Sequence, residues 1–66
     1  MNIIVNGEPR SIEPEASVDD LIATLGLEGK RIAVEVNREI VPRSEYDNFK
    51  LNESDAIEIV NAIGGG

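Results

Sequence analysis

Three consecutive glycines, Gly64-Gly65-Gly66, follow Ile63 at the end of the sequence and form its one segment suited to chemistry. Glycine has no side chain to pack and carries the largest backbone entropy, which predicts a mobile tail over residues 64–66. The same thinness would admit the tail to a narrow tunnel in a partner, where its backbone can pair with the walls. It also leaves the terminal carboxyl of Gly66 sterically open. An α-carboxyl with a pKa of about 3.3–3.7 is ionised at neutral pH and is a poor electrophile until activated. Conversion to an acyl adenylate removes that obstacle. The bland reading of terminal glycines is a frayed end, and a lone Gly-Gly would favour it.

The remaining composition offers little rival chemistry. The chain has no Cys and no His, so disulfides, thiolate or imidazole nucleophiles and the usual zinc ligand sets are unavailable. Thirteen acidic residues against six basic ones give a net charge of −7. That balance argues against a nucleic-acid backbone as partner and favours docking into basic grooves. The acidic pairs Asp19-Asp20 and Glu13/Glu15 are too sparse for a metal site, and none is expected. Residues 1–6 lack the basic start and long apolar run of a signal peptide, and no stretch is long enough to span a bilayer. The expected location is the cytoplasm, with no membrane partner.

A chain of 66 residues suits one domain, here residues 1–63, followed by the tail 64–66. Its 41% apolar content is mostly aliphatic, which supports a packed core. Ile3, Ile4 and Val5 lead into Asn6-Gly7, the dipeptide best suited to a type I′ hairpin turn, and a second strand is expected over residues 10–13. Pro9 fits the start of that strand or an edge. Ser17 can cap a helix, with Ala16 and Leu21 placed as a hydrophobic staple and Asp19 and Asp20 in the first turn. Val18, Leu21, Ile22 and Leu25 form one apolar stripe, and Gly26 ends the helix.

Ile32, Val34 and Val36 alternate as a half-buried strand, and Asn37-Arg38-Glu39 turns the chain into a short extended piece at Ile40-Val41, stopped by Pro42. Residues 44–49 read as a turn or one helical turn, with Tyr46 or Phe49 closing one end of the core. Residues 52–55 form a polar turn before a last strand over residues 56–60. Strands of this number with one helix give an α+β layer pair, with the first and last strands parallel.

Three blocks resemble the ThiS sulfur carriers of thiamin biosynthesis. Residues 1–8, MNIIVNGE, match the opening hairpin. Residues 32–43, IAVEVNREIVPR, match the central strand, turn and strand with its Val-Pro-Arg stop. Residues 54–60, SDAIEIV, followed by Asn61-Ala62-Ile63 and the glycines, match the last strand and tail. The resemblance implies a ubiquitin-like β-grasp fold, a mixed sheet of four to five strands packed on one main helix. It also implies a carrier cycle. An E1-like adenylating enzyme of the ThiF type activates the terminal carboxylate with MgATP. Sulfur ultimately from cysteine, supplied by a donor such as a cysteine desulfurase, makes it a thiocarboxylate. A thiazole synthase of the ThiG type then receives the sulfur. By the match of the tail, Gly66 carries the sulfur, Gly65 is the second family glycine and Gly64 is an added one. The carrier would bind no cofactor, supply no general acid or base and be no enzyme. The nearest alternatives are a MoaD-type carrier for molybdopterin synthesis and a ubiquitin-like protein modifier.

Other residues have two readings each. Arg43 can meet a partner's carboxylates or the adenylate phosphate, although an Arg after a turn proline is more often solvated or paired locally. Val60, Ala62 and Ile63 are apolar beyond the alternation of Ile57 and Ile59, so either they form a docking patch with Gly64 or the last strand is buried on both faces. Asp19, Asp20, Glu53, Asp55 and Glu58 offer a footprint for a basic groove, or serve as helix-start and turn residues.

Overall fold

A computed structural model describes residues 1–61. Asn6 and Gly7 take φ values of 51° and 82°, the positive pair that a type I′ turn requires. The turn folds β1 (Asn2–Val5) directly onto β2 (Glu8–Ser11). It also fixes the register, pairing Val5 with Glu8 and Asn2 with Ser11. The second strand therefore lies nearer the turn than residues 10–13. Pro9 sits within it, opposite Ile4, and is tolerated because β2 is an edge of the sheet.

The helix α1 (Val18–Thr24) begins at Ser17, whose Oγ accepts from the Asp20 N–H at 3.1 Å. Asp20 Oδ2 accepts in return from the Ser17 N–H at 2.9 Å, which completes a capping box. Gly26, at a φ of 72°, follows the C-cap Leu25 and stops the helix. Val18, Leu21 and Ile22 are buried, Leu25 packs at the margin, and both staple residues, Ala16 and Leu21, are inside.

The capping box sets a pH dependence. The hydrogen bonds from the Ser17 backbone and hydroxyl hold the Asp20 carboxyl below the ordinary carboxylate range. A carboxyl whose pKa falls on folding stabilises the folded state above its unfolded pKa, and that contribution fades as pH falls through its lowered folded value. Asp20→Asn should therefore flatten the acid limb of a stability-versus-pH curve below about pH 4. Ser17→Ala should cost about 1 kcal/mol at neutral pH, read by urea unfolding.

A second positive-φ pair, Asn37 at 51° and Arg38 at 71°, turns β3 (Ile32–Val36) into β4 (Glu39–Val41). Only two residues are spent on this turn, so Glu39 joins the strand, paired with Val36. A 3₁₀ turn, Arg43–Glu45, follows, and β5 (Ala56–Asn61) completes the sheet one residue beyond its expected end. The strand order is β2-β1-β5-β3-β4, with β5 parallel to β1 and antiparallel to β3. Ile3, Val5, Val34, Val36, Ile57 and Ile59 bury one sheet face against the helix. Tyr46 is buried and Phe49 half-buried beside that core. This is the helix-on-mixed-sheet pair expected of a β-grasp, with five strands. No described helix is long and apolar enough to cross a membrane.

Candidate functional site

Gly66, Gly65, Gly64, Ile63 and Ala62 lie outside the described residues; the structure shows the strand that leads to them. β5 is the central strand of the sheet, and its last residue, Asn61, lies opposite Ile32 at the start of β3. Both neighbours position it. From β1, the N–H groups of Ile4 and Asn6 donate to the carbonyls of Asp55 (2.9 Å) and Ile57 (2.8 Å). From β3, five residues pair with β5 from Ile57 to Asn61.

Two asparagine side chains add to this frame. Asn6 Oδ1 accepts from the Ile59 N–H at 2.8 Å, and its Nδ2 donates to the Ile59 carbonyl at 3.1 Å. At the other end of the strand, Asn37 Oδ1 accepts from the Ala56 N–H at 3.0 Å and its Nδ2 donates to Asp55 Oδ1 at 2.9 Å. Each asparagine is the first residue of a hairpin turn, where positive φ frees its carboxamide to reach β5. Sequence reading assigned both to turns and missed the clamps. The available signal was Asn at the first turn position of two hairpins, since a carboxamide carries a peptide's donor and acceptor.

The sheet face away from the helix is open. Val60 is 57% exposed there, Ile40 73% and Ile4 41%. Val60 therefore faces outward, and β5 is not buried on both faces. Glu35 and Glu58 lie directly opposite one another across β3 and β5 on that same face, a like-charge pair that costs some stability. Arg43 is exposed, and its Nη2 donates to the Lys30 carbonyl at 3.4 Å, a local pairing. It lines a shallow recess of about 390 Å³ together with Lys30, Ser44 and Asp47. Lys30 is two residues before Ile32, so Arg43 is brought to the end of the sheet where β5 finishes.

Three of the five acidic candidates are occupied structurally. Asp20 closes the capping box, Glu53 Oε1 accepts from the Asn2 N–H at 3.1 Å, and buried Asp55 accepts from the Asn52 N–H at 2.8 Å as well as from Asn37. Asp19 borders the recess and Glu58 stands on the open face. Among the described residues no three metal-ligating side chains converge. The arrangement therefore offers a central strand held on both sides, an open face with apolar Val60 beside its end, and the glycines that follow in sequence.

Comparison with known proteins gives one consistent result. The ThiS family model matches residues 3–66. The sulfur carrier protein ThiS of Bacillus subtilis is 42% identical over 50 residues, 76% of each chain. A thiazole synthase of Paramagnetospirillum magneticum is 42% identical over 66 residues, and the chain spans 20% of that protein's length. The crystal structure of the thiamine biosynthesis protein ThiS from Geobacter metallireducens superposes with a TM-score of 0.88 at 30% identity, covering all of both chains. The family match over residues 3–66, together with the match in fold, makes this chain a member of the ThiS family.

Proposed function

We propose that this chain is a sulfur carrier for thiazole formation in thiamin biosynthesis, working through the carboxylate of Gly66. The observation that carries the reading is the extent of the family match, which continues past β5 to residue 66 and so includes all three glycines. In the cycle, a Gly66 carboxylate oxygen attacks the α-phosphorus of MgATP in an E1-like enzyme of the ThiF type. Pyrophosphate leaves and an acyl adenylate remains. The terminal sulfur of a donor's persulfide, such as that of a cysteine desulfurase, attacks the acyl carbon and displaces AMP, giving an acyl disulfide. A thiol then attacks the donor's sulfur, forms a disulfide with it and releases the thiocarboxylate, a soft nucleophile. Glycine at position 65 keeps the approach to the reacting carbonyl narrow. The chain itself binds no cofactor and acts as a protein substrate, not an enzyme, in the cytoplasm where ATP and cysteine are supplied.

A ThiG-type thiazole synthase as receiver is supported by similar proteins of that name. Segments of two such proteins, from Paramagnetospirillum magneticum and Magnetococcus marinus, are 42% and 41% identical to the whole of this chain. A carrier-like segment joined to a synthase keeps a high effective concentration there.

The reading is tested by ATP–pyrophosphate exchange with a ThiF-type enzyme. Exchange should depend on this chain and vanish when Gly66 is removed. Exchange indifferent to the chain would count against it. Val60, with Ile40 and Ile4, supplies the apolar part of the docking face, and Arg43 its polar border. Val60→Glu should raise KM for the chain in this assay about tenfold, since burying a valine is worth about 1.5–3 kcal/mol. Its folding stability should stay within about 0.5 kcal/mol, as for an exposed substitution.

A further inference from the structure

Asn6 makes a contact that its turn position does not require. The parallel ladder between β1 and β5 runs through Ile4 and Asn6, whose N–H groups donate to Asp55 and Ile57. One more rung would need another peptide group of β1, but the chain has by then entered the hairpin turn at Asn6-Gly7. The Asn6 carboxamide takes the place of that peptide. Its oxygen receives the Ile59 N–H and its nitrogen serves the Ile59 carbonyl. On the β1 side, β5 is thus held beyond the reach of β1's own backbone, two residues short of Asn61, its last described residue.

We infer that Asn6 is a positioning residue for the carrier reaction: its carboxamide holds the end of β5 in register, so that the open face around Val60 and the chain beyond Asn61 engage a partner together. The inference rests on the carrier reading of Gly66. Without the clamp, the peptide of Ile59 has lost its partners on the β1 side, and the strand end frays more readily. A frayed end must be ordered again whenever the partner docks, and that entropy appears in KM.

Asn37 supplies the control, because it makes a like clamp at the opposite end of the same strand, on Asp55 and Ala56. Both asparagines have a φ of 51°, so Asn6→Gly and Asn37→Gly keep backbones that glycine adopts freely. In Asn6→Gly, hydrogen-exchange protection of the Ile59 amide should fall roughly tenfold to a hundredfold relative to the best-protected core amides, as expected for losing two net hydrogen bonds. In Asn37→Gly that ratio should hold. With a ThiF-type enzyme, at a temperature where both variants are folded, Asn6→Gly should raise KM about tenfold and leave kcat within about twofold. Asn37→Gly should leave both within about twofold. Asn6→Asp keeps the acceptor and loses the donor at neutral pH, and should fall between wild type and Asn6→Gly.

An unchanged Ile59 ratio in Asn6→Gly would overturn the inference, as would an equal KM increase in Asn37→Gly. Failure of the carrier reading would look different, because the unaltered chain would then not be activated at all. In that case the Ile59 ratio would still decide whether Asn6 holds the strand end.

Discussion

A chain lacking Gly65 and Gly66 should fold with unchanged stability and lose sulfur loading by at least a hundredfold. Two residues of extended chain reach about 7 Å. The shortened chain still ends in a glycine carboxylate, at Gly64, so the chemical group is conserved and only its position is lost. Reacting atoms must come within about 3–3.5 Å, and a misplacement of about 1 Å can already cost a hundredfold. The folded domain should not notice, because glycines have no side chains to bury; unfolding free energies from urea titrations should agree within about 0.5 kcal/mol. A deletion that lowered loading only in proportion to lost folding would move the function from the tail to the domain surface.

Leu21→Ala should have the largest effect on the fold itself. Leu21 has no exposed surface and lies on the buried stripe of α1 with Val18 and Ile22. Truncating a buried leucine costs about 2–5 kcal/mol, the lost burial plus the cavity left behind. At about 0.05–0.15 kcal/mol per residue, a chain of this length has a total stability of roughly 3–10 kcal/mol. The substitution therefore removes a large share of it. With each kcal/mol worth about 4–8 °C in a domain of this size, calorimetry should show a melting temperature lower by at least about 8 °C. Leu25→Ala, on the same stripe but at the margin of the core, should cost clearly less.

How much of this was legible from residues alone depended on whether the cause was local. The helix was, since its cap at Ser17, the i, i+3, i+4 steps of the 18-21-22-25 stripe and its stop at Gly26 each act on residues no more than about one turn away. The two hairpin turns were also legible, although their lengths moved the strands: a two-residue turn at Asn6-Gly7 starts β2 at Glu8, and one at Asn37-Arg38 brings Glu39 into β4. The outward face of Val60 was undecided in the sequence, because an apolar residue at an alternating position fits either a buried or an open sheet face. What decides it is that, among the described residues, no second layer covers that face. The asparagine clamps were not legible. Asn6 and Ile59 are 53 residues apart, and their contact requires the first and last strands to lie parallel in one register. The bond from Arg43 to Lys30 was not legible either, since it depends on the loop before β3 meeting the end of β4.

Sulfur carried at Gly66 would be seen directly as a change of mass at the last residue. The most direct measurement is C-terminal-fragment mass spectrometry after incubation with a ThiF-type enzyme, MgATP, a cysteine desulfurase and cysteine. Fragmentation is needed because oxidation of Met1 adds nearly the same nominal mass as replacing oxygen by sulfur. The expected result is a gain of one sulfur in place of one oxygen, confined to Gly66 and absent without ATP. No gain at Gly66, with the same enzymes loading another carrier, would contradict it.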